Sequence, residues 1–251
     1  SLNLLDVEEL AAVLPQLNVH ERSPQLTAED LYLNEKLPFG YNYVDTNLRI
    51  THDYDNFGGH GSHVAGISAA NRYIPEADGY LRAADTVFVS GAAPDAQIIT
   101  LKVAGVGGGI AESDYMAAIE DAILLDCDAV NLSLGSDNGF AYDDTAIHGV
   151  YARLEQAGVI LMTAAGNSEN SPAQGNERGG LNLAEDPDIS MMSSPAVYPS
   201  NLAVASINST INMQSVLSWT DAQGQSYTVP FSDPNEVAMK RKFPESQSFV
   251  V

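Results

Sequence analysis

Residues 60–66 read His60-Gly61-Ser62-His63-Val64-Ala65-Gly66, and this stretch tells most about how the chain folds. Small residues continue as far as Ala70, so a helix that begins here can lie close against a sheet. A polar loop ending in Gly59 comes directly before the first histidine. The pattern predicts an imidazole at a loop-to-helix junction, a position from which a fold can present a catalytic base.

A second segment has the composition of a buried strand followed by a tight turn. Residues 158–167 are an apolar run that ends in Ala-Ala-Gly-Asn, as expected for a parallel strand covered on both faces. In this order, the histidine stretch and the asparagine turn resemble those of the subtilisin-like serine peptidases. The resemblance implies that His60 is the general base, that His63 is a packing residue, and that Asn167 donates its side-chain amide to the oxyanion of the tetrahedral intermediate.

Between these segments lie two apolar strands that end in glycine. The first, 97–103, runs into the glycine-rich stretch 104–109, and the second is 129–135. Both match the edge segments with which subtilisin-like peptidases hold an extended substrate through main-chain hydrogen bonds. By this resemblance the substrate-binding residues would be Gly107, Gly108, Ser133, Leu134, Gly135, Ala165 and Gly166. Taken alone, each glycine cluster is also an ordinary turn, and that interpretation stays open.

The spacing of the other elements predicts an α/β fold without help from the resemblance. Ser113 can cap a helix that leads into the strand at 129–134, and Asp143 or Asp144 can start another helix. A final apolar strand covers 202–207. Strands and helices that alternate at these intervals favour right-handed crossovers and a doubly wound, mostly parallel sheet with helices on both faces.

Two single residues receive structural assignments. His148 lies off the apolar stripe of its helix, so we predict that it is a solvated surface residue. Cys127 sits beside an apolar strand and is predicted to be a core residue; as the single cysteine of the chain, it rules out internal disulfides. The residues of the stripe are Ile147, Val150, Tyr151 and Leu154.

The charge of the chain excludes some classes of partner. It has 33 acidic and 11 basic residues, for a formal net charge of −22 at pH 7. Such a surface repels nucleic acids and anionic membranes. No run of about 18 apolar residues is present, so we expect no membrane insertion by this segment. The resemblance implies a bacterial peptidase that lies at the cell surface or outside the cell and acts on a peptide or protein.

Two parts of the serine-peptidase triad are missing from the sequence. The family's nucleophile lies in a Gly-Thr-Ser-Met-Ala type of motif, its aspartate ends an apolar strand as Asp-Ser/Thr-Gly, and neither run is found. Ser193-Ser194-Pro195 precedes the 198–207 segment, which in the family comes before the nucleophile. Asp45 is followed by Thr46-Asn47, so we expect its carboxylate outside hydrogen-bond reach of His60. The peptidase fold is therefore predicted to be truncated at both ends, and the fragment to be inactive alone.

We expect three parts along the chain. Residues 1–36 would be a helical insertion, residues 37–210 the subtilisin-like peptidase core, and residues 211–251 a β-rich segment with a hairpin. Large cell-envelope members of the family insert a β-rich domain at this last position. The helices of the first part are predicted from two pairs with capping-box spacing, Asp6 with Glu9 and Thr27 with Asp30.

The sequence favours a serine endopeptidase that works through an acyl-enzyme, with His60 and Asn167 as the catalytic residues in this chain. Two other functions stay open. Without a visible nucleophile, the fold could serve as a non-catalytic peptide-binding module. A metal-dependent hydrolase would use imidazoles three residues apart on one helical face with a carboxylate nearby, and its ligands would be His52, Asp53, His60 and His63. No cofactor is predicted, and the resemblance allows calcium as a structural ion.

Overall fold

The computed structural model describes residues 4–56, 59–87, 89–136, 139–141, 146–167, 192–207 and 215–231. The chain divides into two units, Ser1–Ala205 and Ser206–Val251. The helices are α1 (Val7–Val13), α2 (Asn18–Arg22), α3 (Ala28–Leu31), α4 (His60–Ala69), α5 (Ala83–Thr86), α6 (Glu112–Leu124) and α7 (Ala146–Gln156). The strands are β1 (Phe39–Asn42), β2 (Tyr73–Glu76), β3 (Gly79–Arg82), β4 (Ile99–Lys102), β5 (Ala129–Leu132), β6 (Ile160–Ala164), β7 (Leu202–Val204), β8 (Ser215–Thr220) and β9 (Ser226–Phe231).

Two capping boxes start helices in the first 36 residues, as their spacing predicts. The Asp6 carboxylate accepts hydrogen bonds from the backbone N–H groups of Glu8 and Glu9, at 2.8 and 2.9 Å, and α1 begins there. Thr27 and Asp30 form the same reciprocal pair at the start of α3. Both boxes satisfy backbone donors that a helix start leaves unpaired. The prediction of two short helices is confirmed, and α2 lies between them.

The strands of the first unit pair mostly in parallel. β1 pairs with β4, with Phe39 opposite Ile99. β6 lies between β5 and β7 and is parallel to both. Parallel strands joined through helices place the unit in the α/β class. The predicted single sheet is not observed among the described residues, because β4 and β5 do not pair with each other and the parallel strands form two separate sheets.

Helix α6 contributes to both hydrophobic cores of the first unit. The first core unites Leu10 of α1, Val19 of α2 and Leu31 of α3 with the aromatic residues of β1 and with Ala118 of α6. The second includes Ile119 of α6 and the apolar stripe of α7. The residues of that predicted stripe, Ile147, Val150, Tyr151 and Leu154, are all buried. The crossover helix from β4 to β5 therefore joins the two cores.

Two details of these helices differ from the sequence expectation. α6 begins at Glu112 after Ala111, without a side-chain cap, so Ser113 is not its N-cap. Arg22 instead donates to Asp114 in the first turn at 2.8 Å and anchors this end of the helix. His148 is half-buried rather than on the surface, because its ring stacks on Tyr198 with centroids 5.9 Å apart. The predicted start of α7, Asp143 or Asp144, lies outside the described residues.

The described part of the second unit is an antiparallel hairpin of β8 and β9. Asp221 shapes its turn, because its carboxylate accepts the backbone N–H groups of Gln223 and Gln225. The rings of Trp219 and Tyr227 stack across the strands with centroids 5.3 Å apart. The predicted hairpin is confirmed. In the described parts of both units, no helix has the length and apolar character needed to cross a bilayer.

Candidate active site

His60 is the first residue of α4 and is exposed to solvent, as the loop-to-helix pattern predicts. No carboxylate in the described residues forms a hydrogen bond with its ring. Asp45 accepts from the Asn42 side-chain amide at 3.0 Å, and Asp55 is paired with Lys102. His63 is also exposed, so its prediction as a packing residue is wrong: one turn along the same helix, it lies outside both hydrophobic cores.

A cavity of about 1380 Å³ separates α4 from the strands. Residues from α4, β4, α6 and β5 line it, including Val64, Leu101, Ala118 and Val130. The predicted close contact of α4 with a sheet is therefore not observed. At Gly61 and Gly66 of that helix, an added Cβ would meet no atom within 4 Å.

Strands β4 and β5 both line this cavity and each keeps one unpaired edge there. β4 pairs only with β1 and β5 only with β6 among the described strands. Residues of β4 are half-buried, and Ala129 and Asn131 of β5 are exposed. Parallel strands of α/β proteins are normally covered on both faces. The partial exposure of these two strands follows from the open space between them.

The first predicted substrate-binding segment is a glycine turn after β4. Gly108 has φ +74°, where glycine is favoured, and its N–H donates to Gly105 O at 2.8 Å. Gly108 lines the large cavity together with His60, Ser133 and Leu134. Gly107 is exposed and does not line it. The structure thus brings His60 to the same cavity as residues from both predicted substrate edges.

The second predicted segment, after β5, lies against another part of the chain. Ser136 and Ser194 exchange backbone hydrogen bonds of 2.9 and 3.0 Å. An added Cβ on Gly135 would lie 2.8 Å from Ser194 O, so this glycine allows the two backbones to approach closely.

The turn after β6 meets the same segment. Ala165 accepts a hydrogen bond from Ser193 N at 2.8 Å, and Gly166 has φ +106°. A Cβ added to Gly166 would lie 1.9 Å from Ser193 Oγ. Asn167 follows, exposed, with no hydrogen-bond partner for its amide among the described residues. Gly135 and Gly166 therefore lie together through Ser193 and Ser194, whereas Asn167 does not line the cavity of His60.

The residues proposed as metal ligands do not form a cluster. His52 faces Asp53, with 3.7 Å between Nε2 and Oδ1, and both side chains are exposed. In the described ranges, no three or more His, Cys, Asp or Glu residues are arranged to hold a metal ion.

The model of the subtilase family matches residues 27–243. The chain belongs to the subtilase family. This agrees with the expectation from the histidine stretch and the asparagine turn, both of which lie inside the matched range.

Several proteinases are similar to this subtilase chain. The PI-type proteinase of Lactococcus lactis subsp. cremoris is 32% identical over 198 residues, which cover 77% of this chain and 10% of that protein. The C5a peptidase of Streptococcus pyogenes serotype M6 is 33% identical over 176 residues, or 65% of this chain and 14% of that protein. The chain therefore spans only a small part of the length of these curated relatives.

A solved structure of the Prenylagaramide maturation protease PagA is also similar. It is 22% identical, has a TM-score of 0.41, and the match covers 59% of this chain and 43% of that one.

Sequence analysis missed an ion pair in this subtilase chain, that of Asp55 with Lys102. Lys102 is the only charged residue in the apolar run 97–103, and this was the available signal. A lysine at the end of a buried strand needs an acidic partner. The partner could not be read from the pattern, because several aspartates lie in the loop before His60.

Proposed function

We propose that this chain is the central part of the catalytic domain of a subtilisin-like serine endopeptidase, which hydrolyses peptide bonds through an acyl-enzyme. Besides family membership, one structural observation supports this proposal. The exposed imidazole of His60 opens on the same cavity as Gly108, Ser133 and Leu134, which belong to the two segments expected to hold a peptide. A base and two glycine-containing edges around one space suit an extended peptide.

Each catalytic residue would have a separate role in the reaction. A serine from beyond residue 251 attacks the scissile carbonyl, and His60 takes its proton and later gives it to the leaving amine. Asn167 donates its amide hydrogen bond to the oxyanion, and one such donor is typically worth about 10²–10³ in kcat. In this proposal the peptide lies between Gly107-Gly108 on one side and Ser133–Gly135 on the other, with Ala165 and Gly166 beside Asn167.

The triad aspartate would come from before residue 1, at the end of an apolar strand. We place that strand between β4 and β5. Their unpaired edges and the half-buried β4 side chains support this position, and the strand would fill only the part of the cavity between β4 and β5, leaving the part beside His60, Gly108 and Ser133 for the peptide. The added strand would pair on both sides and turn the two sheets into one doubly wound sheet. The fragment is therefore proposed to be truncated at both ends.

The proposed substrate is a peptide or protein outside the bacterial cell. The names of the similar proteins, a proteinase and a C5a peptidase, support a proteolytic role. The net charge of −22 argues against nucleic acids as ligands. A structural calcium ion and the absence of any other cofactor remain predictions.

Labelling with a fluorophosphonate, which reacts with activated serines, tests the proposed function. We expect no labelling of this chain alone, because it lacks the nucleophile. In subtilisin itself, removal of the nucleophilic serine lowers kcat by about 10⁶. We expect labelling of the longer protein that contains it, abolished by His60→Ala. Labelling of this chain alone would show that the nucleophilic serine lies within residues 1–251. A longer protein that is not labelled but still binds peptides would be a non-catalytic module.

A further inference from the structure

The loop that leads to His60, residues 51–59, has two hydrogen-bonded contacts with elements other than α4 among its described residues, 51–56 and 59. Asp55 forms an ion pair with Lys102, and Asn56 N–H donates to Val106 O at 3.3 Å. The other side-chain contacts of the loop, such as Thr51 with Asp53, are internal. Both external contacts reach the end of β4 and the turn that follows it.

The partner of this loop is itself firmly held. Lys102 is the last residue of β4 and lies opposite Asn42 of β1 in the parallel register. Its carbonyl accepts a hydrogen bond from Tyr43 N–H at 2.9 Å. A short stretch of backbone separates it from Val106 and the glycine turn. The loop before His60 is thus attached to a fixed strand end.

The ion pair is more enclosed than a surface pair. The Lys102 and Asp55 side chains are only 10% and 17% exposed, against 54% and 79% for Arg72 and Asp95. Asp55 Oδ1 is buried and has no hydrogen-bond partner among the described residues. Removing the lysine would therefore take the ion-pair partner from an enclosed carboxylate, and the loop would have to move to hydrate it.

From these contacts we infer that Asp55 and Lys102 are positioning residues, which hold the His60 loop in register with the glycine turn at 105–109. Neither residue acts on substrate. The pair fixes Asp55, five positions before His60 in the chain, relative to the turn that contains Gly107 and Gly108. The effect of the Asp55–Lys102 pair on catalysis rests on the proposed peptidase function. Its effect on the position of the His60 loop does not.

Nuclear magnetic resonance of this chain tests the inference without any activity. In Lys102→Met, we expect the ring signal of His60 and the amide signals of Gly107 and Gly108 to shift or broaden together. Exchange of the Asn56 amide hydrogen should speed up about tenfold or more, because its loop opens more often. Lys102→Arg keeps the charge and should restore the wild-type signals. Arg153→Met breaks the more exposed pair with Glu120 and is the matched control.

An unchanged His60 ring signal in both Lys102→Met and Asp55→Asn would overturn the inference, even if both variants were less stable. Asp55→Asn retains the shape of the side chain. It tests whether the ion pair positions the His60 loop if Lys102→Met does not fold. In the longer peptidase, turnover per fluorophosphonate-titrated site should fall about tenfold to a hundredfold with little change in KM. A purely structural role would instead reduce the number of titrated sites. Failure of labelling in the wild type would concern the proposed function, not this pair.

Discussion

At the scale of single residues, Gly166 shows how closely the turn after β6 is packed. Its φ is +106°, and an added Cβ would lie 1.9 Å from Ser193 Oγ. Gly158 also has a positive φ, +78°, but its added Cβ would meet no atom within 4 Å. Substitution of each glycine therefore distinguishes the free-energy cost of the backbone conformation, which both share, from the cost of packing, which only Gly166 adds.

We predict that Gly158→Ala lowers the free energy of unfolding by roughly 1–2 kcal/mol, the usual cost of a left-handed conformation for a residue with a Cβ. Gly166→Ala should cost about 1–3 kcal/mol more, because Ser193 must also move. Urea unfolding followed by circular dichroism measures both. Equal losses in the two variants would show that Ser193 yields without cost.

Cys127 offers a second test at this scale. Burial raises the pKa of its thiol to about 12, with Asp128 and Asp126 adding to the effect. The thiolate is the reactive form, so the folded chain should react with iodoacetamide at pH 8 far more slowly than the same chain in urea. Comparable rates in the two conditions would contradict the placement of this residue against the first core.

At the scale of elements, α6 is tied to the N-terminal helices by one buried carboxylate. Asp121 is fully buried and accepts from Asn18 N and Nδ2, Val19 N and Tyr43 OH, at 2.7 to 3.1 Å. These donors belong to α2 and to the residue that follows β1. Leu10, Val19 and Leu31 of these three helices share the same core, so the N-terminal helices pack as an integral part of the first unit.

Asp121→Asn should lower the free energy of unfolding by about 3 kcal/mol, because an amide NH₂ group would face backbone donors that have no other partner. Thermal and urea unfolding measure the loss. Asp114→Asn, which keeps an acceptor for Arg22 at a less buried site, is the control and should cost about 1 kcal/mol or less. A loss at Asp121 no larger than at Asp114 would contradict the role of this carboxylate.

The same residue predicts a pH dependence. Burial raises the pKa of Asp121 above 3.8, although hydrogen bonds from Asn18, Tyr43 and Val19 oppose the shift. The folded state then keeps this proton to higher pH than the unfolded state. Its contribution to stability is largest below pH 3.8 and declines as pH rises through the raised pKa. The stability difference between wild type and Asp121→Asn should therefore shrink as pH rises from below 3.8 through the raised pKa; a difference that grows would show the opposite shift.

At the scale of the whole molecule, the formal net charge of −22 opposes compact folding. Acidic residues outnumber basic ones 33 to 11, so at most one acidic residue in three can have a basic residue to itself. Self-repulsion of this kind weakens as salt shortens the range of electrostatic interactions. The Debye length falls from about 30 Å at about 0.01 M salt to about 3 Å at about 1 M.

We predict that the unfolding midpoint rises with sodium chloride over this range, since screening removes more repulsion than attraction. Potassium chloride, with a chelator present, should act equally, because the effect depends on ionic strength rather than on a bound cation. A midpoint that stays constant or falls would show that the ion pairs of the fold outweigh the excess of negative charge.

Features that depend on neighbours along the chain could be predicted from the amino-acid sequence. Both capping boxes, the buried stripe of α7, the place of His60 at the start of α4 and the turn ending in Asn167 follow from spacings of a few residues. Local spacing decides such features because helix and strand geometry bring these residues together wherever the element lies. The histidine stretch and the asparagine turn also sufficed to indicate the family, since both are local motifs.

Contacts between residues far apart along the chain could not be predicted in this way and are found in the folded chain. Asp55 and Lys102 are 47 positions apart, and Asp121 and Asn18 are 103 apart. Gly166 meets Ser193, His63 stays outside the cores, and β4 and β5 keep unpaired edges. A hydrophobic pattern shows which face an element buries but not against what, and the energy of a charge depends on how deeply its surroundings enclose it. These placements follow from the packing of elements against one another. Such packing involves residues far apart in the sequence, so no local pattern predicts it.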